Sequence, residues 1–225
     1  MAGPESTCWT VIQAAAAGSA AERAEFARRY GLVVRAYLAA RWRSSPCRHE
    51  LDDAVQEVFL ECFKRGGVLD RVEPGRGGFR PFLFGVARNV ALRAERARGR
   101  REHHAREDRG LEAVADDDPG PSQAFDRAWA TAIFREAGRL QEQQAQSKGP
   151  DACRRVELLR LRFHDDLPIR EIARRWGVEA AVLHHEYAKA RQEFKAALLE
   201  VVAFHHPGSP ADIEQECADL LAALK

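Results

Sequence analysis

Residues 79–106, FRPFLFGVARNVALRAERARGRREHHAR, constrain this chain more than any other stretch. Phe82, Val86 and Val90 recur at i, i+4 and i+8 with Leu83 beside them, so the segment predicts a helix with one apolar face. Rings and aliphatic side chains fill its front half: Phe79, Phe82, Leu83, Phe84, Val86, Val90 and Leu92. Arginines fill the back half: Arg88, Arg93, Arg96, Arg98, Arg100, Arg101 and Arg106. They leave from the other face and from the C-terminal end, where positive charge suits the helix macrodipole. Two chemistries fit this arrangement. One is a core helix with a solvated basic end. The other is an aromatic head joined to an arginine tail, which suits a nucleic acid whose bases have left the stack, because rings stack on bases while guanidinium groups track phosphates.

The net charge of +1 does not argue against a polyanionic partner, because the charge is segregated. The arginine run is followed by the acidic run Asp116, Asp117 and Asp118, and distribution matters more than the total. Hydrophobic residues make up 45% and charged residues 31% of the 225 positions, as expected of a soluble globular protein with one large domain or two small ones. No apolar run approaches the ~18 residues of a membrane span, and no secretion signal is read at the N-terminus. Five scattered cysteines without a C-x-x-C pair fit reduced thiols and a cytoplasmic location.

The remaining pattern is helical throughout. A short helix holding Trp9 and Ile12 is expected to end at Gly18, and Ser19 with Glu22 forms a capping box. A long helix then runs to about Trp42 with the apolar stripe Phe26, Tyr30, Val33, Val34, Tyr37 and Leu38. In HELDDAVQEVFLECFKRGG, Asp52 or Asp53 is expected to cap the helix start. Val55, Val58, Phe59 and Cys62 point inward there, and Asp52, Asp53, Gln56, Glu57 and Glu61 form an acidic face, either an interface or plain solvated surface. The glycine-rich loop VLDRVEPGRGG places Arg76 where a ligand can approach closely. VADDDPGPSQ reads as a linker. A helical block is expected from near Phe125, with Phe125, Trp129, Ile133 and Phe134 on one face, and QEQQAQSKGPD reads as a loop. Further on, IREIARRW, a turn at Gly177 and a helix from about Ala180 form either a helix-turn-helix or an ordinary helical hairpin. Ser209 and Pro210 start a last helix with Ile213, Cys217, Leu220 and Leu221 on one face.

Three blocks in this order resemble the extracytoplasmic-function (ECF) class of bacterial sigma factors: DDAVQEVFLECF at 52–63, FRPFLFGVARNVAL at 79–92 and LPIREIARRWGVEAAVLHHEYAKAR at 167–191. The resemblance covers residues 7 to 200 and implies an all-α protein of two small helical domains with a C-terminal extra helix. The implied boundaries are 1–101 (region 2-like, polymerase binding and −10 recognition and melting), a flexible acidic linker at 102–124, 125–204 (region 4-like helix-turn-helix, −35 recognition) and an extension at 205–225. The implied partners are the RNA polymerase core, through its clamp helices and flap, and promoter DNA, with an anti-sigma factor or the chain's own last helix as regulator. The resemblance assigns Asp52, Asp53, Gln56 and Glu57 to core binding, where carboxylates and an amide can pair with arginines. It assigns Arg76, Phe79, Arg80, Phe82, Arg88, Asn89, Arg93 and Arg96 to the −10 element, and Ala181, His184, His185, Lys189 and Arg191 to the −35 element. Capturing a flipped base would offset an unstacking cost on the order of a few kcal/mol. Phe82 stands where the family usually has tryptophan, keeping the apolar face without the indole donor. Asp116 to Asp118 would mimic RNA phosphates in the polymerase cleft, or serve only as a spacer. His184 and His185 stand where the family usually carries lysine or arginine and a hydroxyl, so weak, pH-sensitive −35 binding is expected.

Three rival readings remain. An enzyme is disfavoured, because the histidine pairs point to different helix faces and H-E-x-x-H, a phosphate-binding glycine loop and a nucleophile elbow are absent. No cofactor and no stoichiometric metal are therefore expected. A stand-alone helix-turn-helix regulator would bind duplex DNA without polymerase. A degenerate relative would act through protein contacts alone. The last helix either regulates access to polymerase or DNA, or merely stabilises the fold.

Overall fold

The computed structural model describes residues 8–17, 20–64, 78–105 and 119–225. Every element among them is helical: α1 (Cys8–Ala16), α2 (Ala20–Arg41), a short 3-10 helix (Pro46–Glu50), α3 (Leu51–Phe63), α4 (Phe79–Ala105), α5 (Pro119–Lys148), α6 (Pro150–Phe163), α7 (Ile169–Trp176), α8 (Ala180–His205) and α9 (Pro210–Ala223). The expected all-α class is correct. The described residues fall into two compact units, one within 1–132 together with 203–225, the other 133–202. These cuts differ from the expected segments, because the front of α5 and the whole tail pack with the first unit.

In the first unit α2 buries the whole expected stripe, Phe26, Tyr30, Val33, Val34, Tyr37 and Leu38. Burying each such side chain is worth about 1.5–3 kcal/mol before the entropy of ordering is subtracted. Against it pack Ala54, Val58 and Cys62 of α3, and Leu83, Val86, Ala87, Val90 and Ala91 of α4. Trp9 and Ile12 of α1 and Phe125 and Trp129 of α5 complete the core. α3 follows directly on the 3-10 helix, whose N-cap Ser45 accepts from the Cys47 amide at 3.2 Å. Neither Asp52 nor Asp53 caps α3: the N-cap is Glu50, without a side-chain cap, and both aspartates sit inside the first turn, where the macrodipole favours them.

The second unit is built on Leu158, Ile169, Ile172, Ala173 and Leu183, with Leu161, Leu167, Trp176 and Tyr187 packed around them. α5 does not break at QEQQAQSK. It continues to Lys148, and Gly149 (φ 103°) ends it before Pro150 opens α6. The expected loop is helical because Gln141, 4% exposed, donates to the Ala190 carbonyl at 3.1 Å and Ala145 is buried beside that contact. Likewise α5 starts at Pro119 rather than near Phe125, since prolines are tolerated in a helix's first turn. Gln144 also donates to Glu200 at 3.1 Å.

The turn after α7 is made at Gly177, whose φ of 63° and ψ of 36° are left-handed. Its amide donates to the carbonyls of Ala173 and Arg174, and the Val178 amide to Ala173 at 3.0 Å. The expected turn glycine is in use, and Ala173 and Leu183 are buried on either side of it, whereas Val182 is 55% exposed. In the tail, Ser209 and Asp212 form a reciprocal capping box at the start of α9. Its expected apolar face is only partly used: Leu220 is buried, Ile213 and Cys217 are half-buried, and Leu221 is 50% exposed.

Candidate polymerase and nucleic-acid interface

α3 divides cleanly by face. Val58 and Cys62 are fully buried, and burial pushes the Cys62 thiol up to about 12, so it is a packing group rather than a nucleophile. On the outside lie Asp52, Asp53, Gln56 and Glu57, all exposed, with Leu60 65% exposed one turn further on. Asp52 pairs with Arg35 of α2, and Glu57 and Glu61 lie 3.7 and 3.3 Å from Arg93 of α4. The result is an acidic and amide ridge with an apolar patch, fixed by a buried underside. Such a surface suits a basic protein partner.

α4 presents Arg88, Asn89, Arg93 and Arg96 along one side, and all four are exposed. Arg93 is not a bare cation, since it faces Glu57 and Glu61. Further along, Arg98 and Arg101 lie 3.2 and 3.7 Å from Glu50. The expected arginine tail is therefore partly neutralised by acids of α3 and the 3-10 helix. Asn89 and Arg96 are exposed on this side of the helix.

The head of α4 differs from expectation. Phe79 is completely buried, with ring centroids 4.9 Å from Tyr30, 5.6 Å from Trp9, 5.8 Å from both Phe26 and Phe82, and 6.0 Å from Trp129. Phe82 is half-buried and stands edge-on to Trp9 at 5.4 Å. Arg80 reaches Asp126 at 2.7 Å and Glu216 at 3.5 Å. In this conformation Phe79 offers no ring to a base, and Arg80 already holds two carboxylates. Arg76, its neighbouring glycines Gly75 and Gly77, the aspartates at 116–118 and the capping box at Ser19 lie outside the described residues.

A residue that the sequence reading missed organises the base of this site. Glu95 accepts from Arg41 Nε at 2.7 Å and Nη2 at 3.0 Å, and from Trp42 Nε1 at 2.8 Å. The Arg41 side chain is only 6% exposed, so this bidentate pair fixes α4 to the end of α2. The signal was present: Glu95 is the lone acid among residues 79–101.

In the second unit Ala181, His184, His185, Lys189 and Arg191 are all exposed on α8. Lys189 pairs with Glu186 at 3.0 Å, and Arg191 lies over the Tyr187 ring at 5.8 Å. Behind them Arg155 grips Glu193 at 2.7 Å and Glu186 at 3.2 Å. Among the described residues no cluster of His, Cys, Asp and Glu is arranged to hold a metal, and no helix is long and apolar enough to cross a membrane.

No curated protein matches the chain. Residues 26–101, which run from Phe26 in α2 to Arg101 in α4, match the family model for Sigma-70 region 2. This segment, about a third of the 225-residue chain, contains the α3 ridge and the outer side of α4.

Proposed function

We propose that the protein is a cytoplasmic, non-enzymatic sigma factor of the ECF type that joins core RNA polymerase and directs promoter-specific initiation. The match of residues 26–101 to Sigma-70 region 2 carries this reading. In it, Asp52, Asp53, Gln56 and Glu57 contact the polymerase clamp helices through charge-assisted pairs. Asn89 and Arg96, with Arg76 and Arg88, meet the −10 element once the duplex opens, and the turn of α7 and α8 contacts the −35 element. The exposure of the α3 ridge, the exposed Asn89 and Arg96 and the Gly177 turn all support it.

The test is transcription in vitro with purified core polymerase on a promoter library. Factor-dependent RNA starting at a shared pair of elements is the expected result. Failure to bind core, or binding without any RNA, overturns the proposal.

A second reading, a stand-alone duplex-binding regulator, is favoured by the turn between α7 and α8. Gel shifts separate the two: the regulator retards operator duplex by itself, whereas the sigma factor does so tightly only with core enzyme.

A further inference from the structure

We infer that residues 203–225 form an autoinhibitory strap, closed over the head of α4. The inference rests on the sigma-type reading for what is inhibited, and on the first unit's own contacts for the strap. The strap is anchored at His205, which is 3% exposed. Its Nε2 lies 2.8 Å from the Tyr30 hydroxyl, its ring stands edge-on to Trp129 at 5.4 Å, and its carbonyl receives the Cys8 thiol at 3.7 Å. The next residue, His206, closes on the chain just before α4: a Cβ built on Gly78 would meet its Nδ1 at 2.5 Å. After the Pro207–Gly208 break, α9 returns Glu216 to Arg80.

Together these contacts occupy the head of the helix that the sigma reading assigns to opened DNA. Arg80 directs Nε and Nη2 at Asp126 and Nη1 at Glu216, so a phosphate there has to compete with both carboxylates. The two carboxylates stand where an anionic ligand would bind.

The hold is graded along the strap. His205 is deeply seated, but α9 buries only Leu220 completely, leaves Leu221 half-exposed and reaches Arg80 through Glu216 at a long 3.5 Å. Weakly seated segments of this kind open at low free energy and supply the moving parts of switches. α9 therefore lifts while His205 stays in place, and Asp126 still partly holds Arg80 after it has lifted.

Three full-length or near-full-length proteins test this: Gly78→Ala, which crowds His206 without a left-handed backbone to strain; Glu216→Gln, which adds no positive charge; and a chain ending after Gly208, which keeps His205. Two readouts are compared with the wild type, the rate at which phenylglyoxal modifies Arg80 and the affinity for a fluorescein-labelled single strand of about 20 thymidines. Removing α9 is expected to raise both by about tenfold, and each point substitution by about threefold, as a shifted closed-to-open population requires. Arg80→Gln placed in the shortened chain must abolish the gain in strand affinity, which separates release of Arg80 from loss of acidic charge.

Unchanged Arg80 reactivity in variants that keep the wild-type helical circular dichroism overturns the strap. Raised reactivity without raised strand affinity overturns its inhibitory role. Arg80 modification needs neither polymerase nor DNA, so it reads the strap even if core polymerase is never bound and the sigma reading falls.

Discussion

The hydroxyl of Tyr30 lies 2.8 Å from Nε2 of His205, although 175 positions separate them in sequence. The tail thus enters the core of the first unit with the His205 ring edge-on to both Tyr30 of α2 and the Trp129 indole of α5, whose own rings stack on each other at 5.7 Å and 9°. His205→Ala removes a buried hydrogen bond and an edge-on ring contact together. The first unit is expected to lose about 2–4 kcal/mol. Urea unfolding followed by tryptophan fluorescence measures the loss. A change below about 0.5 kcal/mol would be typical of an ordinary surface site and would show that the tail is not part of the core.

Glu95 provides a second anchor. Its carboxylate is shared by Arg41 and Trp42, and the Arg41 guanidinium is nearly out of water. Deleting one partner of a buried pair leaves the other charge uncompensated, so Glu95→Ala is expected to cost about 3–5 kcal/mol. Glu95→Gln keeps the shape and an acceptor and is expected to cost less. Equal losses for the two variants, measured by denaturant titration, would show that charge is unimportant at this position.

The contrast with the tail explains what the sequence made legible. The stripe on α2 was readable because a 3.6-residue period directly reports which side of a helix is buried, and all six expected residues are. Gly177 and the cap at Ser209 were readable because their local conformation demands those residue types. QEQQAQSK misled because composition reports polarity, not the buried carbonyl of Ala190 to which Gln141 donates. The covering of Phe79 and Arg80 was not legible for the same reason. Sequence gives a ring and a guanidinium, whereas the Trp129 and Glu216 that cover them come from segments far along the chain.

Acid sensitivity follows from Glu25. Arg28, hydrogen-bonded through Nε at 2.8 Å and Nη2 at 2.6 Å, is the main cause that holds its carboxyl down at about 2 against an ordinary 4.5. Arg29 assists at 2.7 Å, and partial burial opposes them. A depressed folded-state value means that the ionised form stabilises the fold. That contribution is complete above 4.5 and is lost as pH falls through about 2. The thermal midpoint is expected to drop across this window, and Glu25→Gln to flatten part of the drop. Identical pH profiles for the two proteins would assign the acid transition to other carboxylates.

On the proposed reading, Asp53 and Gln56 contact polymerase from an exposed face whose underside is Ala54, Val58 and Cys62. Asp53→Arg leaves that underside untouched, so stability should change by less than about 0.5 kcal/mol. Affinity for core polymerase should fall by about tenfold or more, because a like charge then faces the partner's arginines. Undiminished binding in a fluorescence titration would remove α3 from the interface.

The front of α8 is the weakest electrostatic part of the proposed promoter contact. Ala181, His184 and His185 are exposed there, while Lys189 is already paired with Glu186. Replacing His184 and His185 with arginine adds two permanent cations to a surface that carries no buried load. If this helix enters the groove, each new phosphate contact releases condensed counterions, so the plot of log affinity against log salt should steepen by about 0.9 per contact. Promoter affinity of the polymerase complex should rise most at low salt. If instead neither affinity nor salt slope moves, then α8 does not face DNA, and promoter choice must be made by the exposed side of α4 alone.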